Sequence, residues 1–214
     1  MLAANFRELW NKFILSFGKA SRKLGLTPNF WTLFSLFMAF LAGITLYQGR
    51  FWWGLVLSVG MFFADALDGA TARAMGNPTT FGMVFDHVID RYAEFIILAG
   101  LLIGGWISPG AIIFAISGMI MASYVRAKAE SNGVEKCIGG IAGRIEKLFF
   151  VYLAIFLLAL GVENISGYLI WFVGAISHVT AIQRLLYARD YLLYPERLEK
   201  KRKRKPKSLP KGAE

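Results

Sequence analysis

The chain has 214 residues, 56% of them hydrophobic and 15% aromatic, with a mean hydropathy of +0.50 and a formal net charge of +10 at pH 7. That apolar content excludes an ordinary soluble domain and predicts several membrane spans. The positive charge comes with no zinc pattern or RNP motif, so no nucleic-acid partner is expected; bases flanking apolar runs mark the cytoplasmic side and contact anionic lipid.

Residues 2–24 place Phe6, Leu9, Trp10, Phe13, Ile14 and Phe17 at helical spacing beside Arg7, Lys12, Lys19, Arg22 and Lys23. This predicts an interfacial amphipathic helix over 1–26 that anchors the chain to the inner leaflet. Its apolar and basic positions are interleaved, so a cleavable signal peptide is not expected. Thr27-Pro28-Asn29 breaks that helix and can start the next. Spans are expected over 31–48, from Phe51 through Ala64 into a polar extension ending at Arg73, from near Phe81 to Ile107, over 111–124, from Arg144 or Ile145 to Leu160, and from Gly167 to about Tyr187. At 1.5 Å per residue, Phe51 to Ala64 covers about 21 Å, short of a hydrocarbon core of about 30 Å. The polar turns that follow must therefore lie toward one membrane boundary. Gly49-Arg50, Ser108-Pro109-Gly110 and 161–166 form turns on one side. Gly76-Asn77-Pro78 and the glycine-rich 132–143 loop lie on the other. Nearly all Lys and Arg fall at the two ends and in the second pair of loops, so the expected fold is all-α and integral to the cell membrane. It has six transmembrane helices over 27–192, with both termini and the active site cytoplasmic. The basic tail, 193–214, is expected to be disordered near anionic lipid. The single cysteine, Cys137, excludes an intrachain disulfide and leaves the redox compartment open.

Between two of these apolar runs the chain reads Asp65-x-x-Asp68-Gly69-x-x-Ala72-Arg73, eight residues, then Gly82-x-x-x-Asp86-x-x-x-Asp90. Asp65 and Asp68 are i, i+3 and Asp86 and Asp90 are i, i+4, so on helices each pair projects from one face. Carboxylates at a bilayer edge are costly and line a cavity, pair with bases or bind an ion. Two opposed faces would make an all-oxygen cage for Mg²⁺ or Mn²⁺; the plainer reading is salt bridges to Arg73 and Arg91. Gly69 and Ala72 suit either close helix packing or close approach of a ligand, and Arg73 suits either a phosphate or an Asp.

At every defined position this pattern resembles the signature of the CDP-alcohol phosphatidyltransferases, integral membrane enzymes of phospholipid synthesis. The resemblance implies that Asp65, Asp68 and Asp86 hold two Mg²⁺ ions, and that Asp90 deprotonates the attacking alcohol and touches a metal. It also implies that Gly69 and Arg73, with Thr79 and the Asn29-Phe30-Trp31-Thr32 segment, contact the CDP-lipid donor; CMP leaves, and the enzyme is a homodimer. Ser123, Arg126 and Lys128, with Arg144 and Arg184, resemble the phosphate-binding pocket of phosphatidylinositol-phosphate synthases and their archaeal counterparts, although each base is also accounted for by positive-inside flanking. A phosphorylated polyol acceptor is therefore expected, inositol phosphate first and glycerol 3-phosphate second. Glu94, one turn past Asp90, is placed to orient Arg91 or the metal shell, and His87 and His178 read as packing or boundary residues. The rival classes are a divalent-cation transporter, disfavoured because the spans stay apolar beyond the Asp turns, and a membrane scaffold, which would leave four carboxylates without a use.

Overall fold

The computed structural model describes residues 14–76, 79–135, 137 and 139–194, and their regular structure is helical throughout. A short helix α1 (residues 14–23) precedes α2 (Pro28–Tyr47), α3 (Phe51–Met75), α4 (Thr80–Ile103), α5 (Pro109–Ser131), α6 (Arg144–Ala159) and α7 (Glu163–Leu193). The expected positions Phe6, Leu9, Trp10 and Phe13 and the basic tail lie outside the described residues.

The punctuation follows the chain's own cap chemistry. Thr27, Thr79 and Ser108 accept hydrogen bonds from the backbone N–H three residues on, starting α2, α4 and α5. Gly76 closes α3 in the left-handed region at φ 73°. Several boundaries differ from the sequence reading: α2 starts at Pro28, α5 runs on to Ser131 and α7 to Leu193, and two further differences have a local cause. α4 stops at Ile103 rather than Ile107, because Gly104 and Gly105 (φ 75°) release the chain into a turn over which Trp106 folds. α7 starts at Glu163, because Ser166 donates its hydroxyl to Val162 within the helix instead of opening a loop.

α2 packs on both α3 and α4, α5 on α7, and α6 on α7 and α3. The core is built from small and branched residues, among them Ala39, Ala42, Ala93, Ala111, Ala115 and Ala154 around Leu46, Ile97, Leu101, Ile112 and Ile155. Small residues let helix backbones touch: a Cβ on Gly100 would run into the backbone of Gly43, and one on Gly118 would lie 2.9 Å from Ser177 Cβ. The large apolar side chains face outward instead, with Phe37, Phe40, Ile113 and Phe149 all at least half exposed. An apolar exterior of this extent around a packed interior is that of a membrane protein.

α2, α3, α5 and α7 are long and apolar enough to cross a bilayer. α4 carries Asp86, Asp90, Arg91 and Glu94 in its first two-thirds, and α6 has 16 residues, so neither reaches that length of uncharged chain.

The described part of α1 packs across the charged end of α3. A Cβ on its Gly18 would lie 2.7 Å from the Ala70 carbonyl carbon, and Arg22 donates to the Ala74 carbonyl at 2.8 Å.

If small residues set the helix spacing, Gly100→Ala destabilises the chain by about 1–3 kcal/mol through overpacking against α2. Gly167→Ala meets nothing within 4 Å and leaves stability unchanged or raised by up to about 1 kcal/mol. Reversible denaturation in detergent micelles compares the two.

Candidate active site

Each carboxylate pair sits where a helix leaves its apolar stretch, and α2 lies against both helices. Oxygens of Asp65, Asp68 and Asp86 all lie within 4.8 Å of one another. Thr32, on the first turn of α2, donates its hydroxyl to Asp68 Oδ2 at 2.9 Å. Asp86 Oδ1 is buried with no hydrogen-bond partner, an expensive condition for a carboxylate oxygen unless a cation meets it. Three such oxygens from two helices fit a hard divalent cation, whose ligands at about 2.1 Å are reached from this spacing by small side-chain rotations. Asp65, Asp68 and Asp86 are the residues placed to hold it.

Asp90 lies outside this group of three. It is buried, and its Oδ1 accepts from Arg144 Nη2 at 2.6 Å. The same guanidinium donates through Nη1 to Asp65 Oδ2 and through Nε to Glu94 Oε1, both at 2.9 Å. The structure thus places Arg144 among the carboxylates rather than among acceptor bases. As the first residue of α6, it enters directly beside α3 and α4, where three acidic side chains outcompete solvent for its fork of donors. Glu94 also accepts from Arg91 at 2.8 Å, and Arg91 in turn donates to Ser123 Oγ at 2.8 Å.

Beside the carboxylates lies a cleft of about 360 Å³. Asp68 and Asp86 line it, with Gly69 and Arg73 from α3, Asn29 and Thr32 from α2, and Thr79 at the start of α4. Five of the seven positions expected at a donor site thus share one cavity with two of the acidic residues. Phe30 and Trp31 do not line it. Helical geometry turns them away: Trp31 Nε1 donates to Ser21 Oγ at 2.7 Å, tying α2 to α1, and Phe30 packs edge-on against that indole at 5.5 Å. At Gly69 a Cβ would stand 3.3 Å from Arg73 Nη1, so glycine there keeps the arginine beside the cleft.

The expected acceptor bases are not gathered into one pocket. Arg126 pairs with Glu130 at 3.0 Å, and Lys128 is exposed near the end of α5. Arg184 is buried and donates to the carbonyls of Gly139 and Ala122, both at 2.8 Å, pinning the loop that leads into α6. Thr180 holds the same loop at Ala142. Lys147, which sequence reasoning passed over, is 5% exposed one turn beyond Arg144 on α6. Its i, i+3 relation to Arg144 in an apolar helix was the available signal. His178 stacks on Phe114 at 4.6 Å and His87 is exposed.

Comparison with known proteins gives concordant matches. A family profile described as CDP-alcohol phosphatidyltransferase matches residues 25–181. The chain is 35% identical to archaetidylinositol phosphate synthase of Pyrococcus horikoshii, covering 82% of this chain and 90% of that one. It is also 35% identical to phosphatidylinositol phosphate synthase of Mycobacteroides abscessus, covering 84% of each. The crystal structure of the Mycobacterium tuberculosis phosphatidylinositol phosphate synthase with CDP-DAG bound superposes with a TM-score of 0.74 at 23% identity, covering 83% of this chain and 94% of that one. A second crystal structure of that enzyme, in complex with manganese and citrate, gives 0.73 at 24% identity over 82% and 88%.

Removing one of three neighbouring carboxylates removes a charge interaction worth about 4 kcal/mol at about 4 Å near a protein surface. Asp68→Asn and Asp86→Asn are therefore each expected to weaken Mn²⁺ binding by tenfold or more in spin-resonance titrations, while Arg73→Ala leaves it within about twofold.

Proposed function

The chain belongs to the CDP-alcohol phosphatidyltransferase family, and from that premise we propose that it moves a phosphatidyl-type group from a CDP-lipid to a hydroxyl of inositol phosphate, releasing CMP. The observation that carries this reading is the junction of the cleft with the carboxylate group. Asp68 and Asp86 belong to both, so a nucleotide lying along Gly69 and Arg73 brings its pyrophosphate to the acidic end. The relatives' names support the acceptor: two curated relatives are an archaetidylinositol phosphate synthase and a phosphatidylinositol phosphate synthase.

In this reading Asp65, Asp68 and Asp86 hold Mg²⁺ or Mn²⁺, and the manganese complex of the tuberculosis enzyme supports a divalent ion. An ion held there would supply the positive charge that offsets the pyrophosphate and the departing CMP. Arg73 pairs with the donor's phosphates, and Gly69 leaves the helix backbone open to the nucleotide. Thr32 orients Asp68, while Asn29 and Thr79 border the nucleotide. Asp90 takes the acceptor's proton as the new P–O bond forms and the bond to CMP breaks. The acceptor's phosphate is met at this end by Ser123, Arg126 and Lys128 on α5 and Lys147 on α6, with Arg144 joining them only when it is released from the carboxylates that hold it in this structure. Arg184 acts through the loop it pins.

The catalytic unit spans 27–192. α4 and α6 complete six crossings, their charged ends lying at the membrane boundary, and the bias of bases puts this end and both termini in the cytoplasm.

Purified protein given CDP-lipid and inositol phosphate is expected to release CMP only with Mg²⁺ or Mn²⁺ present. Glycerol 3-phosphate serves as the competing acceptor. Turnover that is faster with glycerol 3-phosphate, or a lack of cation-dependent CMP release with either, would overturn the assignment. Asp90→Asn is expected to lower kcat by about 10²- to 10⁴-fold, the usual share of a positioned base, with CDP-lipid binding retained in equilibrium measurements.

A further inference from the structure

We infer that Arg144 is a shared counter-ion that couples cation capture by the Asp65–Asp68–Asp86 group to capture of an anionic phosphate ligand at the neighbouring bases. The inference rests on the functional reading above for the identity of that ligand, but not for the cation side.

The guanidinium spends each of its three nitrogens on a different acidic residue: Nε on Glu94, Nη1 on Asp65 and Nη2 on Asp90. One of these, Asp65, also belongs to the three-carboxylate group. Arg144 and a divalent cation therefore draw on the same negative charge, and two positive groups sharing one carboxylate repel each other.

The placement of Arg144 suits a change of partner. Its side chain is 26% exposed, whereas those of Asp90 and Glu94 are 8% and 4% exposed. It is the first residue of α6 and directly follows Gly143, just beyond the last loop residue that Thr180 holds. The loop is thus fixed up to Ala142, and beyond it a long, charged side chain pivots from a steady base. Arg144 turned away from Asp65 lies on the same end of the molecule as Arg126, Lys128 and Lys147, where a phosphate dianion offers more charge than a single carboxylate. By reciprocity, whatever factor the cation adds to phosphate affinity, the phosphate adds to cation affinity.

The test uses the full chain in detergent with Mn²⁺ as the probe. Spin-resonance titration is expected to give several-fold tighter Mn²⁺ binding in Arg144→Gln than in the wild type, with Arg144→Lys close to the wild type. Unchanged or weaker Mn²⁺ binding in Arg144→Gln overturns the proposal. Calorimetry on the wild type alone gives a second reading that needs no variant. Saturating Mn²⁺ is expected to tighten inositol phosphate binding by about tenfold, within the usual span of site-to-site coupling, and Arg144→Gln to reduce that factor to below twofold. A wild-type factor near one, or an undiminished factor in the variant, also overturns it. Absence of CMP release would count against the functional reading while leaving the Mn²⁺ comparison intact.

Discussion

Carboxylate oxygens of Asp65, Asp68 and Asp86 stand within 4.8 Å of one another, and Asp90 and Glu94 lie buried close by. Like charges so placed, half removed from water, repel strongly. The surrounding structure reads as a set of answers to that repulsion. Thr32 gives Asp68 a hydroxyl donor from α2. Arg144 gives Asp65, Asp90 and Glu94 one donor each from α6, and Arg91 turns back onto Glu94. No single helix could hold this site, because the charges come from α3 and α4 while the compensation comes from α2 and α6 as well as from Arg91 on α4 itself. Breaking a buried pair by removing one partner costs about 3–5 kcal/mol, since the charge left behind stays buried. The acidic cluster and the helix arrangement therefore depend on each other.

The two ends of the bundle divide the work accordingly. Toward the apolar end, Gly43 meets Gly100, and Leu46 and Leu101 fill the space between helices, a packing that leaves no room for a ligand. Toward the charged end the same helices separate into a cleft bordered by small residues such as Gly69, Ala72 and Gly82. Rigidity at one end keeps the four carboxylates in register at the other. α1 adds a strut across this open end, since Gly18 abuts Ala70 and Arg22 caps the Ala74 carbonyl, steadying the turn of α3 that carries Gly69 and Arg73.

Much of this was legible in the sequence because it is local. The i, i+3 and i, i+4 spacing of the aspartates fixes their faces once the segments are helical, and Thr27-Pro28-Asn29 announces the start of α2, which Thr27 caps. What escaped was long-range. Arg144 contacts Asp65 from 79 residues away, and no spacing rule connects them. Arg184 looked like a ligand-binding base because nothing in its neighbourhood reveals that its donors face the carbonyls of Gly139 and Ala122, 45 and 62 residues distant. Trp31 fell within a segment aligned by its neighbours, yet one step of helix rotation carries it from the cleft to Ser21. The helices α4 and α6 marked the opposite limit: both were expected as spans, but charge in one and shortness in the other leave them below the length of apolar helix that crosses a bilayer by composition.

The engaged state of the basic residues bears on acceptor choice. Arg91, Arg126 and Arg144 already have carboxylate partners, and Arg184 is committed to backbone carbonyls. A ligand that meets these arginines must therefore displace bonds they already make rather than fill open positions. A neutral hydroxyl compound brings nothing that can displace a carboxylate from a guanidinium. A phosphate monoester, with a charge of about −1.5 to −2 near pH 7 and three strong acceptor oxygens, does. On the proposed reading, selection for a phosphorylated alcohol over an unphosphorylated one would arise from the cost of breaking existing pairs, a cost that only the more highly charged ligand recovers. On the proposed reading, the ion pairs that Arg144 and Arg91 make with Asp65, Asp90 and Glu94 would serve both the stability of the helix arrangement and its discrimination among alcohols.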